Sequence, residues 1–106
     1  MRLFKEFDAG SPSAPFAPFT DVKEAKNGND LLWGTPDDRG AQIINYRIYR
    51  GKNGEREKLL ATVKAGLNTF TDRTAKQNGN YYYHVAAVNK YGESPLTAKT
   101  FVKKTS

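Results

Sequence analysis

The segment YYYHVAAVN, residues 81–89, places three tyrosines beside the chain's single histidine. Imidazole is a common proton-transfer group and metal ligand near neutral pH, and phenol rings can stack on flat ligands. A histidine metal centre needs several such ligands, and a triad around His84 would have to recruit Ser94 from the next loop without a recognisable nucleophile turn. The sequence therefore predicts no catalytic residue, no cofactor and no metal site.

Two other groups look like ligand sites but have simpler interpretations. Asp37 and Asp38 are adjacent carboxylates in PDDRG, but calcium takes roughly six to eight oxygen ligands, so a turn is the better explanation. The glycines of GKNG, residues 51–54, precede no helix, so they favour a hairpin over a phosphate-binding loop.

Composition limits the remaining functions. The 106 residues contain no cysteine, which excludes disulfides and thiol chemistry, and 17 Lys and Arg against 11 Asp and Glu give a net charge of +6. This charge favours anionic partners. No apolar run is long enough to cross a bilayer, and charges interrupt MRLFKEFDAG, so we expect no membrane insertion and no signal peptide in this chain. We expect a monomer with one core.

Proline and glycine divide the chain. Three prolines and several small residues make up much of GSPSAPFAPF, residues 10–19, which indicates that residues 1–14 are a linker or tail. Residues 103–106 are expected to be a C-terminal tail. Between them, residues 15–102 alternate short apolar stretches with turn signals, and no segment is long enough to be a helix. Strand signals at this spacing predict an all-β antiparallel sandwich.

Alternation of side chains along a strand predicts which residues face the core. We expect an inward set in three segments, comprising Leu31, Trp33, Ile44, Tyr46, Ile48, Tyr81, Tyr83, Val85 and Ala87. The outward set is then Asn45, Arg47, Tyr49, Tyr82, His84, Ala86 and Val88.

The order of several short motifs resembles a fibronectin type III domain. The motifs are WGTP, IINYRI, the TFTD turn, and GNYYYHVAAVN followed by YGES, over roughly residues 15–101. The resemblance implies an immunoglobulin-like sandwich of seven strands, in which Tyr81 is the tyrosine of the corner between two strands. We expect its core to contain Trp33, Tyr46, Ile48, Tyr81, Tyr83 and Val85. The missing disulfides and the NYRIYR sequence of the third strand, residues 45–50, resemble prokaryotic members.

Two surfaces are candidates for binding. The first is an aromatic and basic face formed by Arg47, Tyr49, Tyr82 and His84, which could stack on a sugar or anchor a partner protein. Cross-strand pairs that only stabilise the sheet explain the same residues. The second is a basic edge formed by Arg50, Lys52, Arg56 and Lys58, for which a solvated edge that resists aggregation is the alternative.

These observations favour a noncatalytic module of a larger extracellular or cell-surface protein. The resemblance implies a spacer and protein-interaction domain, whose partners are the neighbouring domains of the parent. The alternative is an accessory carbohydrate- or polyanion-binding module of a polysaccharide-degrading enzyme, with other proteins or a polysaccharide as partner. Nucleic acid is not favoured, because a groove-entering helix and the known RNA-binding motifs are both missing from the sequence.

Overall fold

All regular structure in the described part of the chain is β-strand. The computed structural model describes residues 13–18, 20–52, 54–97 and 100–103, so most of the predicted linker and C-terminal tail lie outside the described residues. The strands are β1 (Thr20–Ala25), β2 (Gly28–Trp33), β3 (Asn45–Lys52), β4 (Lys58–Lys64), β5 (Thr69–Asp72), β6 (Asn80–Asn89), β7 (Gly92–Glu93) and β8 (Thr100–Lys103). The TFTD segment that was expected to be a turn is strand β5.

The strands form two antiparallel sheets, as the sequence predicted. One sheet has the order β1-β2-β5, and the other has the order β4-β3-β6-β7, with β8 also paired to β6. The long strand β6 pairs along its whole length with β3, from Asn45 opposite Val88 to Lys52 opposite Tyr81. This register fixes which side chains of the second sheet lie next to each other.

Strands β7 and β8 follow one another along the same edge of β6. They are separated by a segment containing Pro95, which has no N–H to donate. Here the hydroxyls of Ser94 and Thr97 accept bonds from the N–H groups of Ala87 and Val85, at 2.9 and 3.0 Å. The eight described strands therefore correspond to the predicted seven, the last being interrupted at its centre.

The core lies between the sheets and is rich in aromatic side chains. Trp33 and Tyr46 pack against each other there, with ring centroids 5.3 Å apart. The cluster consists of Leu31, Trp33, Ile43, Tyr46, Ile48, Val63, Tyr81, Tyr83, Val85 and Ala87, which includes all six residues expected in the core. One inward prediction was wrong: Ile44 is 54% exposed, because β3 begins only at Asn45 and Ile43 fills the core position instead.

Tyr81 stabilises the corner that the chain forms just before β6. Its hydroxyl accepts a hydrogen bond from the backbone N–H of Lys76 at 2.8 Å, five residues earlier. The ring lies directly against Gly79, where a Cβ atom would overlap it. Residues 76–81 thus form a compact corner whose geometry depends on a tyrosine and a glycine together.

Candidate functional site

The predicted aromatic face exists, but half of it is covered. The register places Tyr49 opposite His84 and Gly51 opposite Tyr82, so the residues do share one face of β3 and β6. The prediction that this face is open was wrong, because Tyr82 and His84 are only 2% and 7% exposed. The neighbouring Ala86, also predicted to face outward, is fully buried.

Glycine at position 51 explains why Tyr82 is buried. With no side chain on its cross-strand partner, the phenol ring lies flat across β3, in the space that a Cβ atom of Gly51 would occupy. The Tyr82 hydroxyl then donates to the backbone carbonyl of Glu55, in the loop between β3 and β4. Phe101 of β8 covers the other side of the ring, with centroids 5.7 Å apart.

His84 is held by its neighbours on both sides of the imidazole. Its Nδ1 atom lies 2.5 Å from the carbonyl oxygen of Thr97, which is the geometry of an N–H donor. Its Nε2 atom is 4.0 Å from a carboxylate oxygen of Glu57, and the ring meets Tyr82 edge-on at 5.6 Å. His84 therefore packs beneath the loop between β3 and β4.

Glu93 of β7 binds the two remaining residues of the face. One carboxylate oxygen accepts from the Arg47 guanidinium at 2.7 Å, and the other accepts from the Tyr49 hydroxyl at 2.7 Å. Burial and the bond to Glu93 raise the pKa of Tyr49 above its usual value. The Arg47 side chain stays 45% exposed, so it alone of the four predicted residues presents a large part of its surface to solvent.

The four residues of the predicted basic edge lie together. They line an open depression of about 270 Å³ at the β3–β4 hairpin, whose full lining is Arg50, Gly51, Lys52, Glu55, Arg56, Lys58, Leu59 and Leu60. Only one lining residue, Glu55, is acidic. Lys52, Arg56 and Lys58 are exposed, so most of the charge in the lining is positive.

Arg50 differs from the other three residues of the basic edge because its guanidinium is bonded to other side chains of the protein. Its guanidinium donates to Asp72 at 2.9 Å and to the Thr74 hydroxyl at 2.7 Å, and it lies 5.0 Å from the centre of the Tyr81 ring. Burial lowers the pKa of Arg50, but the bonds to Asp72 outweigh this effect and the net shift is upward. Arg50 therefore joins the two sheets at the edge of the depression.

Sequence reasoning missed the buried polar network around Asp72. This carboxylate is 1% exposed and accepts from the Tyr83 hydroxyl at 2.6 Å and from the Thr74 hydroxyl at 2.6 Å. Tyr83 accepts in turn from the Asn29 amide at 3.0 Å. Burial acts to raise the pKa of Asp72. The hydrogen bonds that the carboxylate accepts from Thr74, Tyr83 and Arg50 outweigh burial and lower this pKa below its usual value. Burial and the bond to Asp72 raise the pKa of Tyr83.

The groups considered for catalysis or metal binding have structural partners. Asp37 and Asp38 accept bonds from the backbone N–H groups of Arg39 and Gly40, at 2.8 and 3.0 Å, as expected for a turn. Ser94 is 5% exposed and donates to the Pro95 carbonyl. Within the described ranges, no three His, Cys, Asp or Glu side chains form a group that could hold a metal ion. The same residues contain no helix of the length and apolarity that crossing a membrane requires.

Known proteins resemble this chain in sequence and in fold. No family model matches it. Glycosyl hydrolase YngK of Bacillus subtilis is 34% identical over 94 residues, which cover 83% of this chain and 18% of that protein. The Titin homolog of Caenorhabditis elegans is 30% identical over 96 residues, covering 86% of this chain and, to the nearest per cent, 0% of that protein. The chain thus spans a small part of the curated relatives it matches.

Two solved structures superpose on nearly the whole sandwich. The β-1,2-glucanase from Parabacteroides distasonis has a TM-score of 0.76 at 25% identity, covering 96% of this chain and 14% of that one. The FN1–FN3 domains of chicken CNTN1 have a TM-score of 0.74 at 17% identity, covering 89% and 33%. The chain has a fibronectin type III-like fold.

The tyrosine corner expected of a fibronectin type III fold is formed by Tyr81 and the Lys76 amide. Its core tryptophan is Trp33 of β2, which packs on Tyr46 of β3. Alternation along the strands predicted that both residues face the core, and the resemblance implied the corner role of Tyr81. The Asp72 network and the covered Tyr82 are features of this chain's side chains and were not implied by the resemblance.

Proposed function

We propose that this chain is a noncatalytic fibronectin type III module that spaces and contacts neighbouring domains in a larger secreted or surface protein. The observation that carries the proposal is the path of the chain through the sandwich. The described residues begin at one end of β6 and finish at the other.

Two pairs of contacts define these ends. The Ser13 carbonyl accepts a hydrogen bond from the side chain of Asn89, the last residue of β6. Lys103 pairs with Asn80, the first residue of the same strand. A strand rises about 3.3 Å per residue, so the entry and exit points are separated by roughly 30 Å. Domains joined at these points would be held apart by the length of the sheet.

The side chains that could act as an acid or a base are bonded to other groups of the fold, which supports a noncatalytic role. The phenol of Tyr83, the carboxylate of Asp72 and the imidazole of His84 all make bonds within the fold. A catalytic acid or base must reach the proton that it transfers in the substrate. Side chains that are 0–7% exposed and already paired are poorly placed to do so.

A second candidate narrows the parent protein to a polysaccharide-degrading enzyme, in which this chain would be an accessory module. Two comparisons favour it, since YngK is a glycosyl hydrolase and the superposed glucanase is a glycosidase, and the matching segment is 18% of one and 14% of the other. Most of the length of each enzyme therefore lies outside the matching segment.

Solution scattering of a fusion protein tests the spacer proposal. The full chain is placed between two copies of a stable reporter domain, and a Gly/Ser linker of equal length serves as the matched control. We expect a narrow distribution of distances between reporters for the chain and a broad one for the linker. Indistinguishable distributions would refute the spacer role.

A further inference from the structure

We propose that the depression at the β3–β4 hairpin is a binding site for an acidic polysaccharide, and that Tyr82 positions the loop that forms it. The site goes beyond the spacer role, which depends on the two ends of the sandwich. Loss of either function would therefore leave the other intact.

The charges around the depression indicate an anionic ligand. Lys52, Arg56 and Lys58 are exposed, and among the described residues they form no ion pair. Glu55 is the only acidic residue in the lining. The fourth cation, Arg50, is largely neutralised by Asp72. The unpaired charge is thus supplied by three side chains that converge on one depression.

The remaining lining residues favour a sugar chain over a nucleic acid. No aromatic side chain lines the depression, whereas single-stranded nucleic acids bind largely by stacking bases on such rings. Leu59 is 53% exposed and offers an apolar surface for the C–H faces of sugar rings. The Glu55 carboxylate can accept bonds from sugar hydroxyls, which the phosphodiester backbone of DNA does not have. An acidic polysaccharide combines the anions and the hydroxyl donors that this lining matches.

Tyr82 gives the loop a fixed position. Its hydroxyl donates to the Glu55 carbonyl, and the Glu55 N–H donates to the Lys52 carbonyl at 2.9 Å. The ring itself is fixed between Gly51 and Phe101. Because Glu55 is already held in position, binding costs less conformational entropy than it would for a free hairpin. Tyr82 is therefore a positioning residue that acts on the ligand through the loop.

Two triple variants separate a specific site from general attraction to a basic protein. The test variant combines Lys52→Gln, Arg56→Gln and Lys58→Gln. The control combines Arg39→Gln, Lys64→Gln and Lys90→Gln, which removes the same number of Lys and Arg residues from the opposite end of the sandwich, where all three are exposed. Both variants fall from +6 to +3 in net charge, by removal of three cations each. Thermal unfolding of each is recorded as a check on the fold.

Binding is measured by calorimetry with polygalacturonate, with neutral dextran and oligo-dT as comparison ligands. At about 50 mM salt, we expect polygalacturonate to bind and the test variant to lose about tenfold or more in affinity. The control should change by less than about threefold. Binding should weaken towards about 200 mM salt, with a shallower salt dependence in the test variant.

Three results would overturn the proposal: equal losses in the two triple variants, tighter binding of oligo-dT than of polygalacturonate, or no binding at low salt. Amide chemical shifts of the unmutated protein provide a second measurement, which holds even if the test variant does not fold. We expect polygalacturonate to shift the signals of Gly51, Glu55 and Leu60 while those near Lys90 stay in place. Shifts centred near Lys90 would also contradict the site.

The role of Tyr82 is tested with Tyr82→Phe. We expect a several-fold loss of affinity and faster hydrogen exchange at the Glu55 amide, with an unchanged salt dependence because no charge is removed. A purely structural role would leave the affinity of the folded variant unchanged, and that result would remove Tyr82 from the proposal.

Discussion

The Tyr83 hydroxyl donates to the Asp72 carboxylate at 2.6 Å, deep between the two sheets. This bond connects the central strand of one sheet to an edge strand of the other, and Arg50 adds a second connection to the same carboxylate at 2.9 Å. A buried carboxylate is costly unless its oxygens are satisfied, and here four bonds from Thr74, Tyr83 and Arg50 satisfy both. The network should therefore contribute to stability only while it is complete.

Removing the Tyr83 hydroxyl should destabilise the fold without changing its core volume greatly. Tyr83→Phe leaves the Asn29 amide and one Asp72 oxygen short of a partner, and we expect a loss of about 1–3 kcal/mol in the free energy of unfolding. Urea denaturation measures it. Tyr91→Phe is the matched control, because Tyr91 is 51% exposed and should show almost no change. Equal effects of the two changes would show that the Tyr83 bond adds nothing.

Lowering the pH should reduce the folding stability of the protein through protonation of Asp72. Since the folded pKa of this group lies below its ordinary value of 3.8, its contribution is present above that pH and is lost as the pH falls through the folded pKa. We expect the stability difference between the unmutated protein and Asp72→Asn to be largest above pH 4 and to shrink below it. Denaturation curves across this range measure the difference, and a constant gap would contradict the assignment.

Two adjacent tyrosines should respond differently to loss of their hydroxyls. Tyr81→Phe removes the acceptor of the Lys76 N–H and should cost about 1–3 kcal/mol of global stability. In Tyr82→Phe the freed group is a carbonyl of a surface loop, which water can reach, so we expect a loss of about 1 kcal/mol or less. Urea denaturation measures the free energy of unfolding of both variants. A larger loss for Tyr82→Phe would show that the bond from Tyr82 to the loop stabilises the fold more than the bond at the corner does.

Gly51 should not tolerate a side chain. A Cβ atom there would overlap the Tyr82 ring, which Glu55 and Phe101 hold in place, so Gly51→Ala should cost about 1–3 kcal/mol. Gly34→Ala is the control, because no atom lies within 4 Å of its added Cβ, and it should stay within about 0.5 kcal/mol. Thermal unfolding distinguishes them. An unaffected Gly51→Ala would mean that the ring moves freely.

The sequence predicted the sandwich and its core because both follow from local patterns. Alternation along β6 assigned Tyr81, Tyr83 and Val85 to the core, where they lie. The same rule failed for Tyr82 and His84, since it assumes that one face of a strand is open to water. Whether that face is covered depends on Gly51 and on a loop that folds back over the sheet, and alternation along one strand does not reveal either.

The polar network could not be predicted for a related reason. Asp72 and Tyr83 are 11 residues apart, and Asn29 and Tyr83 are 54 apart, on strands whose mutual register is set by the whole fold. Tyr83 was assigned to the core as an apolar ring, and its hydroxyl gave no local signal of a partner. The basic edge was predictable as a cluster because its four residues lie within nine positions of one hairpin.

The distance between Ser13 and Lys103, the first and last described residues, tests the spacer proposal most directly. The protein contains no cysteine, so Ser13→Cys and Lys103→Cys provide two unique positions for spin labels. Pulsed electron paramagnetic resonance then measures the distance between them. A spacer in which the chain enters beside Asn89 and leaves beside Asn80 predicts a single narrow distribution near 30 Å, the approximate length of β6. A broad distribution, or one centred well below this length, would contradict it.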